Sequence, residues 1–326
     1  MNIYDIAKEA HVSTATVSRV INNSPYISEI TREQVQRILD KYSYVPSAIA
    51  RGLVSNSLNM IGVLIESMGD LYHTNTAFII ENELRKKSYQ CIITQAEKHM
   101  ENHLQILSQK HLDGLVLIGS FFATEKMSDA INTLFPSKPV VLVNGYMQRD
   151  NIYCVICDDA FGTGLAVEHL YRKGRRNIVY VDCSVTPSAR HKLNGYQTEI
   201  HKCFFSQQQE YTVSTANSFE GGLKAAKYII ECMPHFDGVI CGQDIVAMGV
   251  IYHLKKFGYR IPEDVSVIGY DNSIYGKLSD PFLSSIDNKM EYRATKAAQI
   301  LLQALSGDTP SNIVNIQPTL YIGGTS

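Results

Sequence analysis

From about Met60 onward, short β-branched runs alternate with helix-length segments, and no other pattern in the sequence narrows the fold as far. Ile61–Ile65, Cys91–Thr94, Gly114–Ile118, Val140–Val143, Ile178–Asp182, Gly238–Cys241 and Val265–Gly269 read as strands. Ala77–Lys87, His99–Lys110, Gly162–Lys173, Gly221–Cys232 and Asp244–Phe257 read as helices between them. Strand, helix, strand at this spacing predicts an α/β architecture of doubly wound parallel sheets with helices on both faces. Seven or more units fit one large sheet or two smaller ones. A chain of 326 residues exceeds what one core usually serves. That length, with the gap between Asp182 and Gly238, favours two lobes.

The first sixty residues follow a different period. Their apolar residues recur at helical spacing, with no strand-like run. One helix spans Ile3–Ala10 with Ile6, Ala7 and Ala10 inward, and a second spans Thr14–Asn22 with Val17, Val20 and Ile21 inward. A third begins at Thr31, where Thr31 and Gln34 have capping-box spacing, and turns Val35, Ile38 and Leu39 inward. Pro46 then breaks the pattern before a short segment, Ser47–Ser57. Two short helices joined by the turn Ala10-His11-Val12-Ser13, followed by a third, have the layout of a helix-turn-helix DNA reader. Ser13 is placed to cap the second helix. Ser13, Thr14, Thr16 and Ser18 crowd its start, a composition that propensity disfavours unless that face meets phosphates and base edges. Arg19 suits a guanine, and the Ala15 methyl suits a thymine methyl. A small helical domain with a polar surface helix accounts for the same pattern.

Charge gives the motif little help. Residues 1–57 hold six basic residues (Lys8, Arg19, Arg32, Arg37, Lys41, Arg51) against five acidic ones (Asp5, Glu9, Glu29, Glu33, Asp40). One copy of such a domain grips phosphates weakly, so two copies on a two-fold dimer are expected. The whole chain carries a net charge of −2, which offers no bulk attraction to nucleic acid or membrane. Its apolar runs fall far short of the roughly 20 residues a spanning helix needs. Asp5, Lys8 and Glu9 stand where a signal peptide has its apolar core, and seven scattered cysteines fit a reducing compartment. A cytoplasmic location is expected.

Chemical motifs are sparse. Cys154 and Cys157 form a lone pair that a strand would place on opposite faces. His99 and His103 share a helix face without a third ligand. Gly162-Thr163-Gly164 falls short of a dinucleotide fingerprint. A ligand contact plus a helix cap accounts for Asp158-Asp159. No nucleophile elbow or Walker A sequence occurs, so no catalytic site, metal or cofactor is expected.

At the amino terminus, Ile3-Tyr4-Asp5-Ile6-Ala7-Lys8-Glu9-Ala10 is followed by Val12-Ser13-Thr14-Ala15-Thr16-Val17-Ser18-Arg19-Val20-Ile21-Asn22. Further on come Thr31-Arg32, Tyr44-Val45-Pro46-Ser47-Ala48 and Ala50-Arg51-Gly52-Leu53. Deep in the core runs Ile261-Pro262-Glu263-Asp264-Val265-Ser266-Val267-Ile268-Gly269-Tyr270-Asp271-Asn272. Taken together, these resemble the LacI/GalR (lactose-repressor) family of bacterial regulators over essentially the whole chain. The resemblance implies a three-helix DNA-binding domain at 1–46, a hinge helix and linker at 47–59, and an effector-binding core at 60–326. That core is expected to be periplasmic-binding-protein-like, with a lobe nearest DNA (about 60–158 and 288–317) and a distal lobe (about 159–287 and 318–326).

By the same resemblance Thr14, Ala15 and Arg19 read bases, Tyr4, Ser13, Thr16 and Ser18 hold phosphates, and Leu53 wedges into the minor groove. His11 stands where relatives often have Gly or Asn; it reads as a structural turn residue at positive φ. Val54 stands where some relatives have Lys. The hinge is too short to be helical alone and is expected to fold when two copies pair on DNA.

The implied effector contacts are Tyr72, His73, Ser120, Asn144, Asp158, Arg190, Lys192, Asn217, Gln243 and Asp271. Lys192 departs from the Arg of sugar-binding relatives and loses a planar fork, for which Arg190 is a candidate substitute. Asp244 reads as the cap of the helix after Gln243. The resemblance thus implies a homodimeric repressor that binds a pseudo-palindromic double-stranded operator and answers to a small molecule, most simply a sugar or sugar derivative. No leucine heptad closes the chain, so a dimer and not a tetramer is expected. A catabolite-control regulator answering to a phosphocarrier protein is the same-fold alternative. A cytoplasmic α/β sugar-modifying enzyme is the alternative from another class.

Overall fold

The computed structural model describes residues 2–21, 23–44, 57–96, 100–204, 210–233 and 235–326. These form two compact units, Met1–Leu58 and Asn59–Ser326.

In the first unit three helices, α1 (Ile3–Glu9), α2 (Thr14–Ile21) and α3 (Glu29–Lys41), enclose a small core. Ile6, Ala7, Ala10, Val17, Val20, Val35 and Leu39 are buried there, with Ile21 and Ile38 at its margin. Asn2 and Asp5 form a reciprocal capping box at the start of α1. Ser13 accepts a hydrogen bond from the Thr16 backbone N–H at 3.1 Å, which is the expected cap of α2. His11 adopts φ 51°, the left-handed turn expected of it. The third helix departs from its expected start. Ser28 caps it by accepting from the Thr31 N–H, so Thr31 lies a turn inside the helix. Gln34 reaches across to the Ala10 carbonyl at 3.1 Å instead of closing a capping box. Leu53 and most of the hinge lie outside the described residues.

The second unit holds two six-stranded sheets. One is ordered β11-β5-β4-β3-β1-β2, from β1 (Met60–Ile65), β2 (Gln90–Gln95), β3 (Gly114–Ile118), β4 (Val140–Val143), β5 (Ile152–Cys157) and β11 (Ile313–Ile316). The other is ordered β12-β10-β9-β8-β6-β7, from β6 (Ile178–Asp182), β7 (Tyr211–Ser214), β8 (Gly238–Cys241), β9 (Ser266–Tyr270), β10 (Ser284–Asp287) and β12 (Thr319–Tyr321). All described pairings are parallel except β10 with β12. Helices cover both faces of each sheet. The first lobe has α4 (Leu71–Arg85), α5 (Met100–Ser108), α6 (Glu125–Leu134) and α12 (Met290–Leu305). The second has α7 (Asp159–Arg172), α8 (Pro187–Phe204), α9 (Phe219–Cys232) and α10 (Asp244–Lys256), plus a one-turn α11 (Ile274–Lys277). Because both faces are covered, the inner strands read as unbroken apolar runs. β3, β4 and β8 are buried at every position.

The chain passes between lobes three times: after β5, after β10 and after β11. Those crossings bring the carboxyl ends of the two sets of parallel strands face to face. Cys154 and Cys157 lie buried within β5, as free thiols. His103 is on α5, and His99 lies outside the described residues.

One helix pair depends on missing side chains. Gly222 of α9 and Gly249 of α10 approach so closely that a Cβ on Gly249 would strike the Phe219 carbonyl, and one on Gly222 the Val246 carbonyl. Backbone cannot yield as a side-chain tip can. Gly249→Ala is therefore expected to lower stability by about 1–3 kcal/mol, as other overpacked cores do, despite its better helix propensity. A urea midpoint equal to or above that of the parent chain would refute this reading of the contact.

Candidate functional site

In the first unit, helical spacing that buries Val17 and Val20 turns Ala15 and Arg19 to solvent. Thr14, Thr16 and Ser18 are half-buried beside them, and Tyr4 is 72% exposed on α1. The Ser13 and Thr16 hydroxyls pair at 2.9 Å, so each has donor or acceptor capacity left for an outside partner. The Arg19 side chain has no hydrogen bond or ion pair with the described residues. By contrast Arg32 donates to the Ser24 carbonyl at 2.7 Å, and Lys41 pairs with Glu9 at 2.9 Å. The structure thus holds two cations for its own fold and leaves the one on α2 available.

In the second unit, the facing strand ends enclose an inner chamber of about 80 Å³. It opens into a mouth of about 780 Å³. The chamber falls below the roughly 300 Å³ at which small-molecule sites usually begin, and the mouth exceeds it. Of the expected contacts, Tyr72, His73, Ser120, Asn144, Lys192, Asn217, Gln243 and Asp271 line the chamber. Two do not. Asp158 accepts from the Phe161 N–H at 3.0 Å as the cap of α7, and its neighbour Asp159 faces the chamber in its place. Arg190 is exposed on α8, apart from the lining. Asp244 is not the cap of α10 either, since Gln243 holds that position.

Parallel strands deliver these groups, each just beyond a carboxyl end. Ser120 follows β3, Asn144 follows β4, Asp182 ends β6, Gln243 follows β8, Asp271 follows β9 and Asn288 follows β10. Asn144 and Asp271 hold positive φ, at 67° and 108°, a conformation that costs non-glycine residues energy and is concentrated at functional positions. Two hydrogen bonds latch the lobes across the gap. Asn217 Nδ2 donates to Asp70 Oδ2 at 3.3 Å, and the Ser188 N–H donates to Ser120 Oγ at 3.1 Å.

The lining is rich in acids, and most have protein donors. Asp159 accepts from the Tyr270 hydroxyl at 2.7 Å and from Ser188 Oγ at 2.5 Å. Asp271 accepts from Asn288 Nδ2 at 2.8 Å, and burial pushes its carboxyl well above the usual range against the pull of Lys192. Lys192 is buried; its Nζ donates to the Gly242 carbonyl at 2.9 Å and lies 3.6 Å from the centre of the Tyr270 ring. Burial lowers the pKa of His73 and raises that of the Tyr72 hydroxyl. Several buried polar atoms here have no partner: Tyr72 Oη, Tyr180 Oη, Asn288 Oδ1, and Nε and Nη2 of Arg293. Native interiors rarely leave such groups unsatisfied, so the chamber is built to hydrogen-bond something. Sequence reading missed Asp159, Tyr180, Asp182, Asn288 and Arg293. The adjacent-acid signal at Asp158-Asp159 was visible but assigned to the wrong member. Nothing in the local sequence marked the others.

The model for bacterial regulatory proteins of the lacI family matches residues 2–47, and that for the periplasmic binding protein-like domain matches 167–326. An HTH-type transcriptional regulator of Lachnoclostridium phytofermentans is 33% identical over 331 residues, covering 100% of this chain and 99% of that one. The chain belongs to the LacI family. The ribose operon repressor of Haemophilus influenzae is 30% identical, with 98% of this chain and 96% of the relative covered. Among solved structures, the lac repressor dimer bound to operator and an anti-inducer superposes with a TM-score of 0.89 at 22% identity, covering 100% and 98% of the two chains. As a LacI-family protein the chain is a transcription regulator with an effector-binding core, and the enzyme reading falls away. Among the described residues no helix is long and apolar enough to cross a membrane, and no group of side chains could hold a metal ion.

Asp244 gives this LacI-family core a pH signature. Its buried carboxyl accepts from Ser285 Oγ at 2.6 Å, Ser273 N at 2.6 Å and Ser273 Oγ at 2.8 Å. Burial pushes it up to about 6, with those hydrogen bonds opposing. An unfolded Asp titrates near 4. Between about pH 4 and 6 the folded protein therefore keeps a proton that the unfolded chain releases, so this group's contribution to stability falls as pH rises through that window and stays low above it. Relative to the parent, Asp244→Asn should gain roughly 2–3 kcal/mol in urea unfolding between pH 4 and 6.5. A difference that does not vary with pH would show that Asp244 titrates normally.

Proposed function

We propose that this LacI-family protein acts as a homodimeric repressor. Each exposed α2 enters a major groove, and a small polar effector, a sugar or sugar derivative, binds between the two lobes of the core. The observation that carries the effector reading is the unsatisfied polar lining of the chamber at the strand ends. A vestigial cleft, as in a regulator tuned only by a protein partner, would gain stability by closing such groups against one another. The two latches, Asp70–Asn217 and Ser120–Ser188, are the contacts an entering ligand would replace. Exchanging them for ligand contacts biases the lobes toward one arrangement, and differential affinity for the two arrangements is what shifts operator binding.

Thr14, Ala15 and Arg19 are assigned to base edges, and Tyr4, Ser13, Thr16 and Ser18 to phosphates. Selection from a random duplex pool is expected to return a pseudo-palindrome, and light scattering to give a dimer. Arg19→Ala is expected to weaken binding to the selected duplex by at least about 30-fold, from loss of a charged base contact worth about 1–3 kcal/mol in each of two half-sites. Its affinity for random duplex should change far less. No enriched sequence, or equal losses on specific and random duplex, would remove the base-reading assignment. Titration of the protein–duplex complex with sugars, sugar acids, sugar phosphates and nucleobases is expected to yield one compound that changes operator affinity at least fivefold.

A further inference from the structure

We infer that the effector carries an anionic group, a carboxylate or phosphate, and that Arg293 receives it. The inference rests on the effector reading above and names the chemistry of that ligand.

Arg293 lies on α12 and is only 1% exposed, the largest of the fully buried side chains. Its guanidinium is charged at any pH the protein meets. Nη1 donates to Asn144 Oδ1 at 2.7 Å, and the group lies 5.4 Å from the centre of the Tyr72 ring. The remaining donors, Nε and Nη2, have no partner. Those two N–H groups run parallel along one edge of the guanidinium plane. That edge is the one that grips a carboxylate or phosphate through paired hydrogen bonds.

The chamber is lined by Glu66, Asp70, Asp159, Asp182 and Asp271 as well as Lys192, so an anion would be received locally at a cation and not by the chamber's overall charge. Lys192, the second buried cation, donates to a neutral carbonyl and covers Tyr270. Neither it nor Arg293 forms an ion pair among the described residues. Meanwhile Asp159 and Asp271 accept from neutral hydroxyl and amide donors. A site for an uncharged polyol would present free carboxylate edges to its hydroxyls. Here Asp159 and Asp271 are occupied, and neither buried cation has a carboxylate in hydrogen-bond contact among the described residues. Leaving the N–H groups of a buried charge without partners is costly, and an anionic ligand gripping Nε and Nη2 removes that cost. Tyr72 and Asn144, which the guanidinium meets, both line the chamber. The guanidinium therefore stands just behind the wall that these two side chains form, and that wall must admit the anionic group.

Calorimetry with the full chain tests this. The neutral probes are D-glucose and D-galactose; the acids are D-glucuronate, D-galacturonate, D-gluconate and D-glucose 6-phosphate, whose separate titrations distinguish a carboxylate from a phosphate. At least one acid is expected to bind ten times more tightly than its neutral parent. Arg293→Met should weaken that acid about 100-fold and leave a neutral sugar unaffected, while Arg293→Lys, which keeps charge but loses the fork, should weaken it about 10-fold. Without ligand, Arg293→Met should melt at or above the parent's temperature, since it replaces a buried charge with two unpartnered N–H groups by an apolar chain of similar length. The proposal is overturned if neutral parents bind as tightly as the acids, if no acid binds at millimolar concentration, if Arg293→Met leaves acid affinity intact, or if that variant melts well below the parent. Binding confined to neutral sugars would remove the anionic group and leave the effector cleft standing. Silence from every compound, here and in the operator titration, would remove both.

Discussion

Parallel pairing is the constraint on which the rest of the core depends. A parallel sheet sends every carboxyl end to one edge, and the helices that return the chain must leave from that edge. In this protein the residues after β3, β4, β8, β9 and β10 are therefore neighbours before any of them is chosen for its chemistry. Three passages between the sheets then turn one such edge toward the other. The cleft is a product of topology. The sequence only decides what fills it.

That division explains which features could be read in advance. Central strands such as Gly114–Ile118 and Val140–Val143 are buried on both faces, so burial writes itself into an apolar run. Apart from β2, the edge strands have no such imprint. β7, β11 and β12 bury few positions, and β10 reads Ser-Ser-Ile-Asp, so none announced itself. β5 carries an apolar run around its two cysteines, yet it was not among the expected strands. In the amino-terminal unit, the inward positions of α1 and α2 followed from helical period alone, and positive φ at His11 from the geometry of a tight turn. The start of α3 was displaced because Ser28 and Thr31 both offer capping hydroxyls; only the backbone decides which one is used.

The cleft was legible to the extent that family resemblance fixed positions along strands. Asn144, Gln243 and Asp271 sit at predictable ends. Pairings made across the fold were not legible. Asp159 faces the chamber because Asp158 is used to cap α7, and adjacent carboxylates on a helix start cannot be told apart by spacing. Arg293 is separated from Asn144 by 149 positions, and nothing near it in the chain distinguishes it from a solvated arginine on a helix. Long-range pairing of charge is a property of the tertiary structure. It is also where this core differs most from what a neutral, well-satisfied interior would be.

Cys183 lines the same chamber, and burial holds its thiol up at about 12. Only the thiolate reacts with alkylating reagents, so buried Cys183 is expected to be modified more slowly than exposed Cys232. The protein thereby contains its own pair of clocks. The lag between the two alkylation events, followed by mass spectrometry, reports how often the closed core breathes.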